Sequence, residues 1–249
     1  MVPWLEDFDT LDSRFNFPDS RNALTQSDDA DGLLCASASI SAQHLLHSYP
    51  LGIYPWYTDG DPVLWWTPSQ RAVLFTAEFK LHKSLRKTIA KYQASGRMQV
   101  RIDTAFSEVL AACAQRAEGT WITDPVVQAY TDLHASGHAH SIETWLDGTL
   151  VGGFYGVSGH ALGSVFYGES MFSRVSDASK IALACFVQWF TAQGGDVMDC
   201  QQDTAHLLSL GARCVPRAEF EAMLAHRLQN NALDWKGALS VDLLAMFVG

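Results

Sequence analysis

Two carboxylates, Glu169 and Asp199, lie in apolar surroundings within residues 162–201, LGSVFYGESMFSRVSDASKIALACFVQWFTAQGGDVMDCQ. A short β-prone run over 165–167 leads to the first, and a second run over 197–200 carries the other. Between them a helix, capped by Ser176 or Asp177, runs to Gly194 and Gly195. Each acid then stands at the end of a strand, and the two can meet across one cleft. Charge beside apolar strand residues costs free energy unless it is paired or used, so the pair is a candidate for carboxylate chemistry in a functional site. Arg174, Lys180 or a backbone turn would satisfy both acids equally well.

Other reactive side chains offer less. His134, His138 and His140 form HASGHAH, but no carboxylate lies at ligand spacing and Gly137 breaks the helix that would align the first two. No metal is expected there. Cys35, Cys113, Cys185, Cys200 and Cys214 are odd in number and lack CxxC spacing, which argues against a disulfide framework or a zinc site. Cys200 beside Asp199 reads as a buried strand thiol. GxSxG, GxxxxGK and GxGxxG after a strand are missing, and GGFYGVSG falls in a hairpin where glycine marks bulges or close packing. No cofactor is expected.

Two features suit a larger ligand. Tyr54, Trp56, Tyr57, Trp65 and Trp66 crowd a stretch broken by prolines and glycines. Flat faces in turn-rich sequence suit stacking on a base or sugar, with an aromatic mini-core as the alternative. Lys80, Lys83, Arg86, Lys87, Lys91, Arg97 and Arg101 are seven of the 17 basic residues, with no acid among residues 80–101. Such a strip suits limited contact with an anionic partner, or is an ordinary solvated helix face.

These residues need elements to hold them. Residues 1–30, rich in Asp, Ser and Asn, form an irregular arm. Ser41 caps a short helix ended by Pro50 and Gly52. A strand over 71–80 precedes a helix with Leu81, Leu85, Ile89 and Tyr92 on one stripe and Lys83, Arg86, Lys87 and Lys91 around the rest. Asp103 caps a helix whose Phe106, Val109, Leu110 and Cys113 face inward. Asp124-Pro125 starts a third helix that ends at Gly137. Strands over 140–145 and 149–157 join at Asp147-Gly148, a hairpin signal. A segment over 205–210, Gly211 and a final helix over 217–228 follow residue 201. This order predicts an α+β fold with a central mixed, largely antiparallel sheet.

Composition narrows the class. With 249 residues, 48% of them apolar, the chain can build one large domain or two modest ones. A net charge of −10 argues against a general nucleic-acid binder, since counterion release needs a basic surface. No run approaches the roughly 20 apolar residues of a membrane span. The acidic start lacks a signal-peptide pattern, and with unpaired thiols the expectation is a cytoplasmic protein without a membrane partner. No heptad pattern is present, so a monomer is expected.

GIYPWY, DPVLWWTPSQRAVLF, EGTWIT, LHASGHAHSIETW, LVGGFYGV, YGESMFSRVSDASKIAL, MDCQ and HLLSLGA, in that order, resemble the leucyl/phenylalanyl-tRNA:protein transferase family. The similarity spans residues 52–224, and GESMFSR with its following ASK is the most specific part. The resemblance implies transfer of Leu or Phe, with Met as a further donor residue, from aminoacyl-tRNA to the N-terminal Arg or Lys of a protein, which marks that protein for degradation. It implies a small N-terminal domain, residues 1–70, joined to a catalytic domain, residues 71–249, similar to the GCN5-related N-acyltransferases.

It also implies roles. Trp56 and Trp121 match tryptophans that stack on the terminal adenosine. Phe154, Phe166, Leu183, Phe186, Phe190 and Met198 fall where the family builds an apolar pocket for the Leu or Phe side chain, with Phe154 in place of a commoner Met. Glu169 and Gln201 match positions for the acceptor peptide, and Asp199 matches the acid that orients or deprotonates the attacking amine. Lys83, Arg86, Lys87 and Lys91 would take the tRNA backbone. An aminoacyl ester is already activated and an α-amino group of pKa ~8 is partly neutral near pH 7, so positioning plus a hydrogen-bond acceptor would supply most of the acceleration.

Two rival readings remain. A coenzyme-A-dependent N-acyltransferase would share the fold but needs a Gly-rich pyrophosphate turn before a helix. SRVSDASK has no glycine and RAEGT precedes the wrong element. A non-catalytic protein binding tRNA ends or degradation signals would keep the tryptophans and the pocket with no need of Asp199 and Gln201.

Overall fold

Apolar side chains on both faces of the strands over residues 70–75, 165–167 and 197–199 place them in the middle of a sheet covered on both sides. In the computed structural model, which describes residues 2–5, 17–115, 120–159, 162–230, 233–238 and 241–248, that sheet has seven strands. They are β4 (Gln70–Phe75), β5 (Met98–Ile102), β6 (Ala139–Leu146), β7 (Thr149–Val157), β8 (Val165–Ser173), β9 (Val197–Gln201) and β10 (Arg213–Pro216). The order is β10-β4-β9-β8-β7-β6-β5. Every neighbouring pair is antiparallel except β8 and β9. A parallel pair needs a crossover, and α5 (Ala178–Ala192) supplies it.

Three shorter strands, β1 (Leu33–Ser37), β2 (Tyr54–Pro55) and β3 (Val63–Trp66), form a second sheet in the order β1-β3-β2. With α1 (Ala42–Ser48), whose Ser41 cap accepts the His44 amide, they make the small N-terminal domain. Trp65 is its centre: fully buried, its indole N–H donates to Ser37 Oγ at 2.9 Å, and Phe17 and His44 pack on its ring. The chain is thus α+β with a mixed sheet, as the element order predicts, and carries the small N-terminal domain that the family resemblance implies.

Strand alternation divides the large core. Tyr155, Val157, Val165, Tyr167 and Val197 join α3 (Phe106–Ala114) and α4 (Asp124–Ala135) on one side. Phe154, Phe166, Met198 and Leu74 join α5 and α2 (Lys83–Ser95) on the other. Close approach across the sheet requires glycine: a Cβ on Gly152 would lie 2.5 Å from Ala178 Cβ, and one on Gly156 2.3 Å from the Tyr167 carbonyl oxygen. This is the close packing expected of GGFYGVSG. The Asp147-Gly148 hairpin also forms as expected, both residues having positive φ.

Several local expectations change. β8 is nine residues long rather than three because it pairs with β7 from Tyr167 to Ser173, past its pairing with β9, so Glu169 lies within a strand and not at its end. β4 stops at Phe75, where a 3-10 turn follows. Asp103 does not cap α3; at φ 56° it turns back to accept His140 Nδ1 and the Ser141 amide, while buried Glu143 takes the Thr104 and Ala105 amides. Thr123, not Asp124, is the N-cap of α4. Asp177 occupies the N-cap position of α5, but its carboxylate pairs with Lys180. Of the irregular arm, residues 1 and 6–16 lie outside the described residues, as do 116–119 of RAEGT; residues 17–30 carry two 3-10 turns.

Edge strand β10 and the chain beyond α7 (Arg217–Arg227) left no readable pattern in the sequence. Leu233, Trp235, Ala238 and α8 (Leu243–Met246) cover the α5 side of the core. Gln93 Nε2 donates to the Leu244 and Phe247 carbonyls, and Asp242 accepts the Val100 amide. Among the described residues no helix is long and apolar enough to cross a membrane. Because Trp235 lies flat on His140 at 3.7 Å and is 6% exposed, Trp235→Ala is expected to lower unfolding free energy by about 3–5 kcal/mol in urea titration. A loss below about 1 kcal/mol would mean that the tail is peripheral.

Candidate active site

The site starts from an ion pair. β4 and β9 place Val73 opposite Asp199, with a register shift at Ala72 and Val73. That geometry sets Arg71 against Asp199 inside the sheet's covered face. Arg71 donates from Nε to Oδ1 at 2.8 Å and from Nη2 to Oδ2 at 2.6 Å, with the two side chains 1% and 0% exposed. Its third nitrogen donates to the Gly52 carbonyl at 3.0 Å, and its plane lies between the Tyr54 and Phe220 rings. Burial works against the guanidinium charge, but Asp199 more than offsets it and the Arg71 pKa rises.

Asp199 Oδ1 also accepts the Gln201 amide at 2.9 Å. Gln201 has φ 60°, a left-handed conformation that costs a non-glycine residue roughly 1–2 kcal/mol. The bond to Asp199 therefore holds a strained residue at the strand's end, and this aims its side chain at Glu169. Gln201 Nε2 donates to Glu169 Oε1 at 2.8 Å. Tyr49 donates to the same oxygen at 2.6 Å and Tyr130 to Oε2 at 2.8 Å. Burial pushes the Glu169 pKa up to about 8; the two tyrosine hydroxyls lower it in part and Asp199 raises it. The two acids are thus brought together, but through Gln201 rather than face to face. Arg174 and Lys180 satisfy neither: the first donates to the Leu150 carbonyl and the second pairs with Asp177.

Glu169 and Gln201 form the polar corner of a cavity of about 460 Å³. Phe154, Phe166, Leu183 and Met198 line its apolar part, and Trp56 and Trp121 also face it. Phe186 and Phe190 do not line it. Both are fully buried one layer behind, where Phe186 backs Phe166 at 4.6 Å and Phe154 at 5.5 Å, and Phe190 backs Phe186 at 5.2 Å. Trp56 is 47% exposed, with its carbonyl held by the Trp66 indole N–H and its ring edge-on to Trp66. Of the crowded aromatics, Trp65 serves the mini-core and Trp56 faces the cavity.

Lys83, Arg86, Lys87 and Lys91 are all exposed on α2. The chain entering that helix touches the cavity wall indirectly: Lys80 donates its amide to the Leu210 carbonyl and His82 donates from Nε2 to the Ser209 carbonyl, at the end of α6 (Ala205–Ser209). His206 and Leu207 of α6 line the cavity. Of the histidines of HASGHAH, His140 pairs with Asp103 at 2.6 Å, and His134, 3.9 Å from the same carboxylate, stacks on Phe106 and donates to the Ala139 carbonyl. Among the described residues no three His, Cys, Asp or Glu are grouped to hold a metal. Cys200 lines the cavity, but burial first and Asp199 second push its thiol up to about 12, the reverse of an activated nucleophile.

Sequence reasoning missed Arg71, Tyr49 and Tyr130. Arg71 carried a signal, a charge in the apolar strand run RAVLF that also needed a partner. The tyrosines carried none, because their hydroxyls matter only through a carboxylate far away in the chain.

An α+β protein with this cavity, apolar on one side and hydrogen-bonded around a carboxylate on the other, can seat an apolar group beside a polar partner. Comparison with known proteins is specific. The profile of the leucyl/phenylalanyl-tRNA protein transferase matches residues 73–225, and that of its N-terminal domain matches residues 38–69. The chain belongs to the leucyl/phenylalanyl-tRNA protein transferase family, whose members are aminoacyltransferases. A relative of that name in Leptothrix cholodnii is 50% identical over 90% of this chain and 87% of its own. Those of Burkholderia vietnamiensis and Aromatoleum aromaticum are 47% and 49% identical, over 95% and 91% of this chain and 91% and 90% of theirs. A solved structure, L-PGS from Bacillus licheniformis, is 10% identical with a TM-score of 0.39 over 69% of this chain and 54% of its own. It is too distant to bear on the fold.

Two outcomes follow from the buried charges. Arg71→Met leaves Asp199 buried without its partner and should cost about 3–5 kcal/mol in urea unfolding, while Arg71→Met with Asp199→Leu should recover much of that. Glu169, whose folded pKa lies above its ordinary value, binds more protons folded than unfolded between pH 4.5 and about 8. Its contribution to stability is therefore full below that window, falls as pH rises through it and is lost above. The stability difference between the wild type and Glu169→Gln should shift accordingly, against the wild type as pH rises from 5 to 8; a constant difference would show that Glu169 titrates normally.

Proposed function

We propose that this protein transfers Leu or Phe from aminoacyl-tRNA to the N-terminal Arg or Lys of acceptor proteins, marking them for degradation. The observation that carries the reading is that one cavity joins an apolar hollow, a half-exposed tryptophan and the Glu169–Gln201 pair. The donor's terminal adenosine stacks on Trp56 with Trp121 beside it, an interaction of roughly 1–3 kcal/mol per base. Its Leu or Phe side chain enters the hollow of Phe154, Phe166, Leu183 and Met198, which Phe186 and Phe190 keep rigid from behind. Burying such a side chain is worth about 1.5–3 kcal/mol, and a polar one would be refused by desolvation. Met, unbranched and apolar, fits the same hollow, so Met-tRNA is a further donor.

The ester carbonyl then lies near Gln201. Glu169 receives the cationic side chain of the acceptor's first residue, and Gln201 Oε1 accepts a hydrogen bond from its α-amino group, directing the nitrogen lone pair at the carbonyl. Asp199 acts through Gln201. Both of its oxygens serve Arg71 and one also holds the Gln201 amide, so it fixes the position of the hydrogen-bond acceptor instead of taking the proton itself. Because the ester is activated and a neutral amine is available near pH 7, this positioning accounts for the acceleration. The basic face of α2 takes tRNA phosphates, and the salt dependence this confers is that of a few contacts.

The finer architecture belongs to the same proposal. Residues 1–70 form the N-terminal domain and residues 71–249 a catalytic domain of the GCN5-related N-acyltransferase type, a reading supported by the parallel β8–β9 step across α5. Five free cysteines suit a reducing cytoplasm, and the lack of any heptad pattern supports a monomer that works without a membrane.

Radiolabelled Leu-tRNA incubated with a peptide beginning with Arg should give labelled peptide; binding of both without transfer would overturn the reading. In that assay Asp199→Asn is expected to lower turnover far more than affinity for aminoacyl-tRNA, and unchanged turnover would remove Asp199 from the mechanism. Trp56→Ala should weaken binding of an aminoacyl-adenosine analogue roughly 5- to 100-fold.

A further inference from the structure

Three groups of the polar corner, the Tyr49 and Tyr130 hydroxyls and the Glu169 carboxyl, form a closed triangle. The Tyr49 hydroxyl is 2.6 Å from the Tyr130 hydroxyl and 2.6 Å from Glu169 Oε1, and the Tyr130 hydroxyl is 2.8 Å from Glu169 Oε2. Each of these contacts is of hydrogen-bond length, and each needs a proton between its two oxygens. The two phenols bring two protons. Both hold them firmly, since burial above all and then Glu169 keep the pKa of each well above the ordinary tyrosine value. If Glu169 is ionised, both phenols donate to it and their own oxygens face each other at 2.6 Å with no proton between. The triangle closes when the carboxyl carries the third proton and donates it to one phenol, which donates to the other, which in turn donates to the free carboxyl oxygen. Gln201 Nε2, a donor only, adds a fourth bond on Oε1 and leaves the count unchanged.

The other charged and titratable groups around Glu169 do not supply the missing proton. Arg71 on β4 is committed to Asp199 and the Gly52 carbonyl, and Asp199 on β9 is committed to Arg71 and the Gln201 amide. Tyr54 on β2 lies beside Arg71 and is in reach of the Gln202 side chain, Tyr167 on β8 itself lies toward Asp199, and Tyr155 on β7 packs edge-on to Tyr130. The Arg71–Asp199 pair is neutral as a unit, so no net positive charge stabilises an ionised Glu169.

We propose that, without an acceptor, Glu169 is a neutral acid in the ring of hydrogen bonds it shares with Tyr49 and Tyr130, and that the cationic side chain of the acceptor binds by displacing the Glu169 proton to solvent. The inference rests on the reading of Glu169 as the acceptor's anchor. Tyr49 and Tyr130 are then positioning residues that orient the anchor and its proton. A neutral acid in the unoccupied corner avoids a buried bare carboxylate. It also sharpens selection: a neutral first residue gains nothing from Glu169, whereas an Arg or Lys converts it into a charge partner. The consequence for pH follows from the sign of the exchange. Below about pH 8, where burial has moved the Glu169 midpoint, each unit of falling pH makes the displaced proton harder to lose.

The test uses the full-length protein and an Arg-Ala amide whose α-amino group is replaced by hydrogen, so that the guanidinium remains and the amine cannot contribute protons of its own. Calorimetry at pH 6.5 in two buffers of different ionisation enthalpy should show release of about one proton per bound probe. Affinity should tighten about tenfold per pH unit between pH 5.5 and 7.5 and level off near 8. Glu169→Gln, whose amide N–H can replace the acid proton in the triangle, should fold, bind the probe at least tenfold more weakly and release no protons. Probe binding that depends on Glu169 yet shows no proton release and a flat pH profile would overturn the inference while leaving the anchor intact. Absence of binding, or equal binding by Glu169→Gln, would instead remove the anchor itself. The wild-type measurement decides the proton count even if the variant does not fold.

Discussion

The buried pair of Arg71 and Asp199 is the constraint on which the rest of the site depends. Placing two charges at 1% and 0% exposure carries a desolvation penalty of several kcal/mol per ion, repaid only when geometry is matched and the remaining donors and acceptors are used. Here they are used: three guanidinium nitrogens reach Asp199 and Gly52, and the second lone pair on Oδ1 takes the Gln201 amide. The pair therefore ties β4 to β9, the loop before β2 to the large sheet, and, through Phe220, α7 to both. A site assembled from the two domains needs such a clamp, because β-strand alternation orients side chains within one sheet but says nothing about a second sheet lying against it.

From that clamp the polar corner follows by short steps. Asp199 holds the left-handed Gln201, Gln201 reaches Glu169, and Glu169 collects Tyr49 and Tyr130. Each step spends a hydrogen bond on a group that would otherwise be buried without a partner. The apolar half is built on the opposite principle, with no polar atom needed. Phe166 and Tyr167, consecutive in β8, point to opposite faces, so the same strand that carries Glu169 lines the hollow with Phe166 and packs Tyr167 against Tyr49. Phe154 edge-on beside Phe166, Phe186 tilted behind it and Phe190 stacked on Phe186 leave little freedom to collapse or widen.

The tail after α7 contributes to the same rigidity. Trp235 lies against Phe166, Phe186 and Trp189 as well as His140, so the far end of the chain buttresses the wall of the hollow. α5 is buried on nearly every side because the sheet, α2 and this tail enclose it. That enclosure explains why its sequence, IALACFVQWF, has no single apolar stripe.

By itself the sequence determined five strands of the large sheet, β4 and β6 to β9, the Asp147-Gly148 hairpin, the amphipathic α2 and the choice of Glu169 and Asp199 as candidate acids, since these depend on local period, turn chemistry and the cost of charge in apolar strands; edge strands β5 and β10 left no such pattern. The motifs also determined the family. Only the tertiary structure decided how Glu169 and Asp199 meet, that Phe186 and Phe190 stand behind the cavity and not in it, and which aromatic of the N-terminal segment is core and which is surface. It alone revealed Arg71, Tyr49 and Tyr130 as partners, 128, 120 and 39 residues from the acids they bind. Local pattern cannot encode such pairings. A hydroxyl or a guanidinium acquires its meaning from the one carboxylate that packing brings within 3 Å, and that choice is made by the sheet order, the register shift at Ala72 and the docking of the small domain.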